Sequence, residues 1–218
     1  MNAYLESQIC SAAVFDQIAD NLVEKGYMVL PYFLPPETSE GLFLEACRMD
    51  ASDFKRASIG RERQQQINDF VRTDQIHWIE GNSFSQKTFL QRMEQLRVEL
   101  NRRLFMGLFD YECHFAHYGQ GDYYKRHLDA FKGRSNRVLS TVFYLNPGWT
   151  VDDGGELVMY RKRQQDALLK VTPLYGTFVI FLSERFPHEV LQAKRDRYSI
   201  AGWFRVNNSL GGLIDPAL

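Results

Sequence analysis

Two histidines and one aspartate are spaced so that they could hold a single metal ion. His127 and Asp129 are two positions apart, and His188 follows in a later segment. Residues i and i+2 of a strand point to the same face, so His127 and Asp129 are expected to aim together at one side. Two imidazoles and one carboxylate suit non-haem Fe(II) and leave positions open for dioxygen and a cosubstrate. With five histidines in the chain, chance alone supplies about 0.3 His-x-Asp triplets, so the pair needs further support.

An arginine provides that support. Arg197 follows His188 by nine residues, and its planar guanidinium can pair with a carboxylate through two hydrogen bonds. We predict that His188 opens one strand and that Arg197 begins the next, so that the two lie on opposite arms of one hairpin. A cosubstrate with a carboxylate at its far end could then bridge the metal and the guanidinium.

The first half of the chain predicts helices with a short strand between them, and the second half predicts mostly strands. Apolar residues recur at helical spacing over 14–23, over 42–47 after Pro35-Pro36, and most clearly over 89–104. Turn signals separate short strands from residue 111 onward, a pattern typical of a β-sandwich or a jelly-roll barrel. The predicted strands are Tyr27–Leu30, Glu112–Tyr118, Val138–Asn146, Glu156–Tyr160, Leu168–Thr172, Thr177–Leu182, Glu189–Gln192 and Tyr198–Val206.

A length of 218 residues predicts one domain, 1–218. We expect helical support and a substrate-covering loop in 1–110, the catalytic core in 111–206 and a surface tail in 207–218. The polar run 51–68 lacks an apolar period and is predicted to be a loop, either merely solvated or placed over a substrate groove.

Composition narrows the function classes. A formal net charge of −1 indicates neither nucleic acid nor a membrane surface as a partner. The three cysteines fit no zinc pattern and no disulfide framework, which favours a reducing, cytoplasmic location. No segment predicts a signal peptide or a membrane span. We expect a monomer.

Four segments together resemble one known family, the Fe(II)- and 2-oxoglutarate-dependent dioxygenases, and within it the prolyl 4-hydroxylases. The resemblance is strongest to the oxygen-sensing prolyl hydroxylases of animals and their bacterial relatives, and it covers roughly residues 70 to 206 in consistent order. The first segment is the most discriminating, because it lies outside the metal site. The segments are Arg72-x-Asp74-x-Ile76-x-Trp78-Ile79-Glu80-Gly81, Tyr124-x-x-His127-x-Asp129, Tyr144-Leu145-Asn146 with Gly154-Gly155, and Pro187-His188-Glu189-Val190 with Arg197-Tyr198 and Trp203.

The resemblance implies a fold, cofactors and residue roles. The fold would be α+β, mainly β: a double-stranded β-helix (jelly-roll) core with supporting N-terminal helices. The cofactors would be Fe(II) and the cosubstrate 2-oxoglutarate, with ascorbate in support. The Fe(II) ligands would be His127, Asp129 and His188. The 2-oxoglutarate pocket would contain Arg197, Tyr144 and Tyr124. Substrate binding would fall to Arg137, Trp203, Asp74 and Arg72.

One departure from the family pattern leaves a role open. The animal enzymes place a tyrosine on the cosubstrate side of the site, ten residues before the first metal histidine. This chain has His117 at that distance and Tyr118 beside it. Either residue could take the role.

The implied reaction is 2-oxoglutarate- and dioxygen-dependent hydroxylation of a prolyl residue in a protein, with release of succinate and carbon dioxide. Bacterial relatives suggest elongation factor Tu as the substrate, and an animal source would suggest a hypoxia-inducible transcription factor. Two alternatives stay open: an oxygenase acting on a small molecule or another side chain, and a non-enzymatic metal-binding jelly-roll module.

Overall fold

The computed structural model describes residues 12–49, 54–56, 72–130 and 135–207. The helices are α1 (Ala12–Glu24), α2 (Pro36–Arg48) and α3 (Phe84–Leu104). The strands are β1 (Tyr27–Leu30), β2 (Lys55–Arg56), β3 (Gln75–Trp78), β4 (Leu108–Tyr118), β5 (Tyr124–His127), β6 (Arg137–Tyr144), β7 (Leu157–Tyr160), β8 (Ala167–Val171), β9 (Phe178–Leu182), β10 (His188–Val190) and β11 (Arg197–Val206). A 3₁₀ turn spans Val151–Asp153.

Within the described ranges the strands form two antiparallel sheets. One sheet has the order β1-β9-β6-β11-β4-β3-β2, and the other has the order β5-β10-β7-β8. Side chains of both sheets share one buried cluster, including Tyr144 and Val179 from the first and Met159 and Val190 from the second. The expected double-stranded β-helix with supporting helices is confirmed.

The larger sheet has two chemically different faces because alternate residues of a strand point to opposite sides. One face packs on the helices and is apolar, with Phe115, Phe143 and Phe204 buried there among the helix side chains. The other face, which we call the site face, points toward the smaller sheet. It carries residues of β4, β6 and β11 that alternate with those of the apolar face: His114, Ala116, Tyr118, Ser140, Tyr144, Arg197, Ser199 and Trp203.

Helix α3 supports the apolar face. Its predicted apolar stripe is confirmed, since Phe89, Met93 and Leu96 are fully buried. The Ser83 hydroxyl accepts a hydrogen bond from the Gln86 amide at 3.0 Å and caps the first turn. Phe105 ends the helix in the left-handed conformation with φ of 52°. No helix in the described ranges combines the length and apolar composition needed to cross a bilayer.

Three sequence-based details need correction. His188 and Arg197 do open two strands, but the hairpin prediction is wrong: β10 pairs with β5 and β7, whereas β11 pairs with β4 and β6 in the other sheet. The sequence does not predict strands β3 (Gln75–Trp78) and β5 (Tyr124–His127), because neither segment combines β-branched or aromatic enrichment with turn residues on both sides. The predicted loop 51–68 contains β2, which pairs with β3 at the sheet edge. The rest of that loop, apart from Phe54, and the predicted tail after Asn207 lie outside the described residues.

Candidate metal and cosubstrate site

The three predicted metal ligands come together at the end of the smaller sheet. His127 ends β5 and His188 begins β10, and the two residues are direct cross-strand partners. Asp129 lies in the bend after β5 rather than on a strand, so its approach to the site follows from the bend and not from strand alternation. Its carboxylate oxygens lie 3.5 Å from Nε2 of His127 and 3.7 Å from Nε2 of His188. Candidate ligand atoms of all three residues lie within 4.8 Å of one another.

Hydrogen bonds to neighbouring groups orient these three side chains. Nδ1 of His127 lies 2.7 Å from the Lys125 carbonyl oxygen, and Nδ1 of His188 lies 3.1 Å from the Phe186 carbonyl oxygen. An Nδ1–H that donates to a carbonyl leaves Nε2 with a free lone pair, as a metal requires. The Ser140 hydroxyl donates to Asp129 Oδ2 at 2.6 Å. The geometry therefore fits an N,N,O metal centre.

Electrostatics favour the ligating protonation states. Burial lowers the pKa of His188 to about 4, more than the neighbouring Asp129 carboxylate raises it, so the imidazole is neutral. Burial opposes ionisation of Asp129, but His188, His127 and the Ser140 hydroxyl hold its pKa well below the usual range. Neutral imidazole and ionised carboxylate are the forms that bind Fe(II).

Arg197 is buried on the site face without a carboxylate partner among the described residues. It is 1% exposed, and its hydrogen-bond partners there are neutral: Nε donates to the Gly155 carbonyl oxygen at 2.8 Å and Nη1 donates to Ser199 Oγ at 3.3 Å. An unneutralised buried cation is costly unless an anion completes it. The guanidinium therefore fits the carboxylate of a ligand.

Tyr144 offers a second donor beside that cation. The Arg197 guanidinium carbon lies 5.1 Å from the centre of the Tyr144 ring, and the Tyr144 hydroxyl is buried with no partner among the described residues. Burial raises the pKa of Tyr144 to about 12, although the charge of Arg197 opposes the rise, so its hydroxyl stays protonated. The pair matches the predicted pocket for the distal carboxylate of 2-oxoglutarate.

The Gly154-Gly155 motif shapes the same pocket. Gly155 has φ of +67°, and a Cβ on it would lie 3.0 Å from Arg197 Cδ. A Cβ on Gly154 would lie 2.6 Å from the Gln192 carbonyl oxygen. Neither position accommodates a side chain without displacing its surroundings.

Tyr124 and the Arg72–Asp74 pair adjoin the metal site on the outer side. Tyr124 stacks on His127 with ring centroids 3.5 Å apart, and the Arg72 guanidinium carbon lies 4.4 Å from the centre of the Tyr124 ring. Arg72 donates twice to the buried Asp74 carboxylate, at 2.7 and 2.5 Å. The pair is thus locked beside the metal site.

Arg137 and Trp203 form the rest of the expected substrate side. The Arg137 guanidinium carbon lies 3.6 Å from the centre of the Trp203 ring. Arg137 also donates to Glu112 at 2.8 Å, and Arg205 contacts the other oxygen of Glu112 at 3.2 Å. Arg137 therefore has a fixed orientation over the tryptophan.

The structure places Tyr118, not His117, on the site face. Tyr118 is buried, and the Arg197 guanidinium carbon lies 4.9 Å from its ring centre. His117 points to the other face, where it stacks on Tyr198 and pairs with Asp196 at 2.9 Å. Sequence reasoning also missed Ser140, although its position four residues before Tyr144 puts both on one face of a strand.

The chain is similar to several known proteins. Residues 113–205 match the family model described as the 2OG-Fe(II) oxygenase superfamily. A Pseudomonas putida prolyl-4-hydroxylase structure is 39% identical, with a TM-score of 0.80, over 89% of this chain and 100% of that one. A Trichoplax adhaerens prolyl hydroxylase, solved with a hypoxia-inducible factor peptide fragment, is 25% identical with a TM-score of 0.80, covering 94% of both chains.

A curated relative extends the comparison. Mouse Egl nine homolog 1 is 27% identical over 188 residues, which is 82% of this chain and 46% of that protein. The chain thus spans about half the length of the curated relatives it matches. Its fold and its His-Asp-His cluster are those of the class of Fe(II)- and 2-oxoglutarate-dependent dioxygenases. Within that class the chain belongs to the prolyl 4-hydroxylase family, whose cofactors are Fe(II) and 2-oxoglutarate.

Proposed function

We propose that this protein hydroxylates a prolyl residue in a protein substrate, using dioxygen and 2-oxoglutarate and releasing succinate and carbon dioxide. The proposal rests on two neighbouring features, a cluster of three candidate metal ligands and a buried arginine that has no carboxylate partner among the described residues. The His-Asp-His cluster lies in the same barrel as a buried Arg197 whose described partners include no carboxylate. A 2-oxoacid with a distal carboxylate would complete both.

The chain's residues divide the work between binding and orientation. His127, Asp129 and His188 would hold Fe(II), which supplies the activation of dioxygen when bound. Arg197 would bind the distal carboxylate of 2-oxoglutarate, and the Tyr144 hydroxyl would donate to the same group. Tyr124 would cover one side of His127 and limit the access of water. The protein would thus position the reactants and exclude water, and the bound Fe(II) would supply the activation of dioxygen.

A polypeptide substrate is supported by the residues on the outer side of the site. Arg72, Asp74, Arg137 and Trp203 would receive the segment that carries the proline, and Trp78 beside them is 42% exposed. Both similar solved structures are prolyl hydroxylases by name. The identity to the bacterial enzyme is higher than that to the Trichoplax one, and elongation factor Tu is the substrate that the resemblance to bacterial relatives implies. We therefore propose a prolyl residue of elongation factor Tu as the target of a cytoplasmic, monomeric enzyme.

The test is 2-oxoglutarate turnover with Fe(II), in the presence and absence of elongation factor Tu and of proline-containing peptides, with mass spectrometry of the product. We expect turnover to rise with the protein substrate and the product to gain one oxygen atom. His127→Ala and Arg197→Ala should lose turnover, whereas His117→Ala, on the opposite face, should keep it.

Three results would contradict the proposal. Unchanged turnover in His127→Ala and Arg197→Ala would exclude the site. Stimulation by free proline but by no peptide or protein would indicate a small-molecule oxygenase. Absence of a metal-to-ligand charge-transfer band with Fe(II) and 2-oxoglutarate under anaerobic conditions would indicate a non-enzymatic metal-binding module.

A further inference from the structure

The site face continues past the metal ligands to a second group of buried side chains. Along β4, Tyr118 lies beside Arg197, and His114 follows four residues back on the same face. Along β11, Trp203 follows Arg197 in the same direction and is the cross-strand partner of Ser140, which holds Asp129. The face therefore runs from the cosubstrate end at Arg197, past the metal ligand, to a substrate end at His114 and Trp203.

Two buried polar atoms at the substrate end lack partners among the described residues. His114 is 3% exposed and Trp203 is 9% exposed. Nδ1 of His114 and Nε1 of Trp203 make no hydrogen bond within that part of the chain. Folded proteins satisfy most buried polar atoms, so an unpaired one points to a group that is bound in use. Here two such atoms occur on adjacent strands, in rings whose centroids are 5.4 Å apart.

The surroundings of His114 favour a neutral ligand. The two nearby arginines already have carboxylate partners, Arg72 with Asp74 and Arg137 with Glu112. Burial, helped by those two cations, keeps the pKa of His114 well below its usual value, so the imidazole is neutral. A charged ligand group would lose its hydration here without gaining an opposite charge. A peptide group, which is neutral and carries both a donor and an acceptor, suits the two unpaired atoms.

Trp78 closes the patch on its outer side. It is the cross-strand partner of His114, and the two rings meet edge to face with centroids 5.1 Å apart. Because Trp78 is 42% exposed, the patch opens to the surface past an aromatic wall. Both unpaired atoms are shielded from solvent in the free protein, so a bound chain must displace this wall to reach them.

We propose that His114 is a substrate-binding residue, whose Nδ1 hydrogen-bonds a backbone peptide group of the polypeptide beside the target residue. Trp203 Nε1 donates to a carbonyl oxygen of the same segment. The inference rests on the proposed function and adds a reason for selecting a polypeptide over free proline. A free amino acid has no flanking peptide group to reach His114, so it leaves these atoms unsatisfied.

The test compares His114→Leu with His114→Asn, using the best proline-containing peptide from the turnover screen. Leucine removes the polar atom, whereas the asparagine side chain keeps one near the position of Nδ1. We expect His114→Leu to raise the KM for the peptide about three- to tenfold, the effect of one neutral hydrogen bond. The KM for 2-oxoglutarate is unchanged, and His114→Asn recovers most of the peptide affinity.

Thermal unfolding of the free protein separates binding from a structural role. Replacing an unpaired buried polar group with an apolar one does not destabilise the fold, so the melting temperature of His114→Leu should equal or exceed that of the wild type. His117→Leu, on the same strand but the opposite face, serves as the control and should keep both KM values.

Different failures remain distinguishable. If His114→Leu had the same KM for the peptide as the wild-type enzyme, this inference would be overturned and the proposed function would stand. A lower melting temperature together with higher KM values for both peptide and 2-oxoglutarate would show a structural role and overturn it as well. A wild-type protein that no proline-containing peptide or protein stimulates would refute the proposed function, and the assignment of His114 with it.

Discussion

The two ends of the site face differ in whether their arginines are paired with a protein carboxylate. At the cosubstrate end, Arg197 is fully buried and its described partners are neutral oxygens. At the substrate end, Arg72 and Arg137 are each paired with a protein carboxylate. The first end is incomplete until an anion binds, whereas the second is already neutral. On the proposed function, one end would select its ligand by charge, and the other would select by neutral hydrogen bonds and shape.

Because of this difference, substitutions at the two ends should affect ligand affinity and folding stability differently. A buried cation without a partner lowers folding stability, and a bound anionic ligand offsets that free-energy cost. A buried ion pair is strongly destabilising when one member is removed. Substitutions at the cosubstrate end should therefore change 2-oxoglutarate binding more than unfolding, and substitutions in the ion pairs of the substrate end should do the reverse.

Arg197→Met should give the largest effect. It removes the charge that would bind the distal carboxylate, which should cost about 3 kcal/mol or more of binding free energy, roughly a hundredfold in the KM for 2-oxoglutarate. The free energy of unfolding should not fall, because an unpaired buried charge is lost. Steady-state kinetics and chemical denaturation measure the two quantities.

Arg205→Met provides the control on the same strand. Arg205 is paired with Asp110 and Glu112, so its loss should lower stability and leave the KM for 2-oxoglutarate unchanged. Equal losses of stability in the two variants would contradict the difference between the two ends.

Asp74→Asn should have the largest effect on stability among the substrate-end variants. It leaves Arg72, whose side chain is 11% exposed, without its carboxylate, which should cost about 2–4 kcal/mol of unfolding free energy. The KM for 2-oxoglutarate should stay unchanged. Asp16→Asn breaks a surface pair with Arg103, where Asp16 is 60% exposed, and should cost under about 1 kcal/mol. Similar losses in both variants would show that the Arg72–Asp74 pair acts as an ordinary surface pair.

Features of the fold and of the candidate site could be predicted from the sequence where they depend on neighbouring residues, and not where they depend on distant strands. The residues of the metal cluster, Arg197 and Tyr144 follow from residue chemistry, spacing and resemblance. The three cluster residues do lie within reach of one metal ion, and Arg197 does lie beside Tyr144. The partner strands of β10 and β11 could not be predicted from the sequence. Two strands this close in sequence suggest a hairpin, yet these two do not pair with each other. Their separation into two sheets depends on distant partners, β7 for one and β4 for the other.

The choice between His117 and Tyr118 shows the same limit. Adjacent strand residues point to opposite faces, so a shift of one position in register exchanges their roles. The register of β4 is set by its pairing with β11, which brings Tyr118 opposite Arg197. No local pattern in the sequence contains that information. Ser140 and His114 were missed for a related reason, since serine and histidine on a strand acquire a role only from what faces them.

Gly155→Ala should affect both quantities at the cosubstrate end. The φ of +67° and the close approach to Arg197 Cδ should cost about 1–2 kcal/mol of stability and displace the guanidinium. We expect the KM for 2-oxoglutarate to rise about tenfold. Gly148→Ala is the matched control, because Gly148 has φ of +62° but no described atom within 4 Å of where its Cβ would lie. It should lose stability alone, and a KM effect in both variants would exclude a specific contact with Arg197.

Tyr144→Phe should give the smallest change, and it compares the two faces of the larger sheet directly. Its hydroxyl is unpaired among the described residues, so the variant should lose about 1 kcal/mol of 2-oxoglutarate binding, roughly fivefold in KM, without loss of stability. Tyr111 lies on the apolar face and its hydroxyl is 2.8 Å from Thr141 Oγ1. Tyr111→Phe should instead lose about 1 kcal/mol of unfolding free energy and keep the KM. If both variants lost stability and neither changed the KM, the Tyr144 hydroxyl would be a core group rather than a ligand donor.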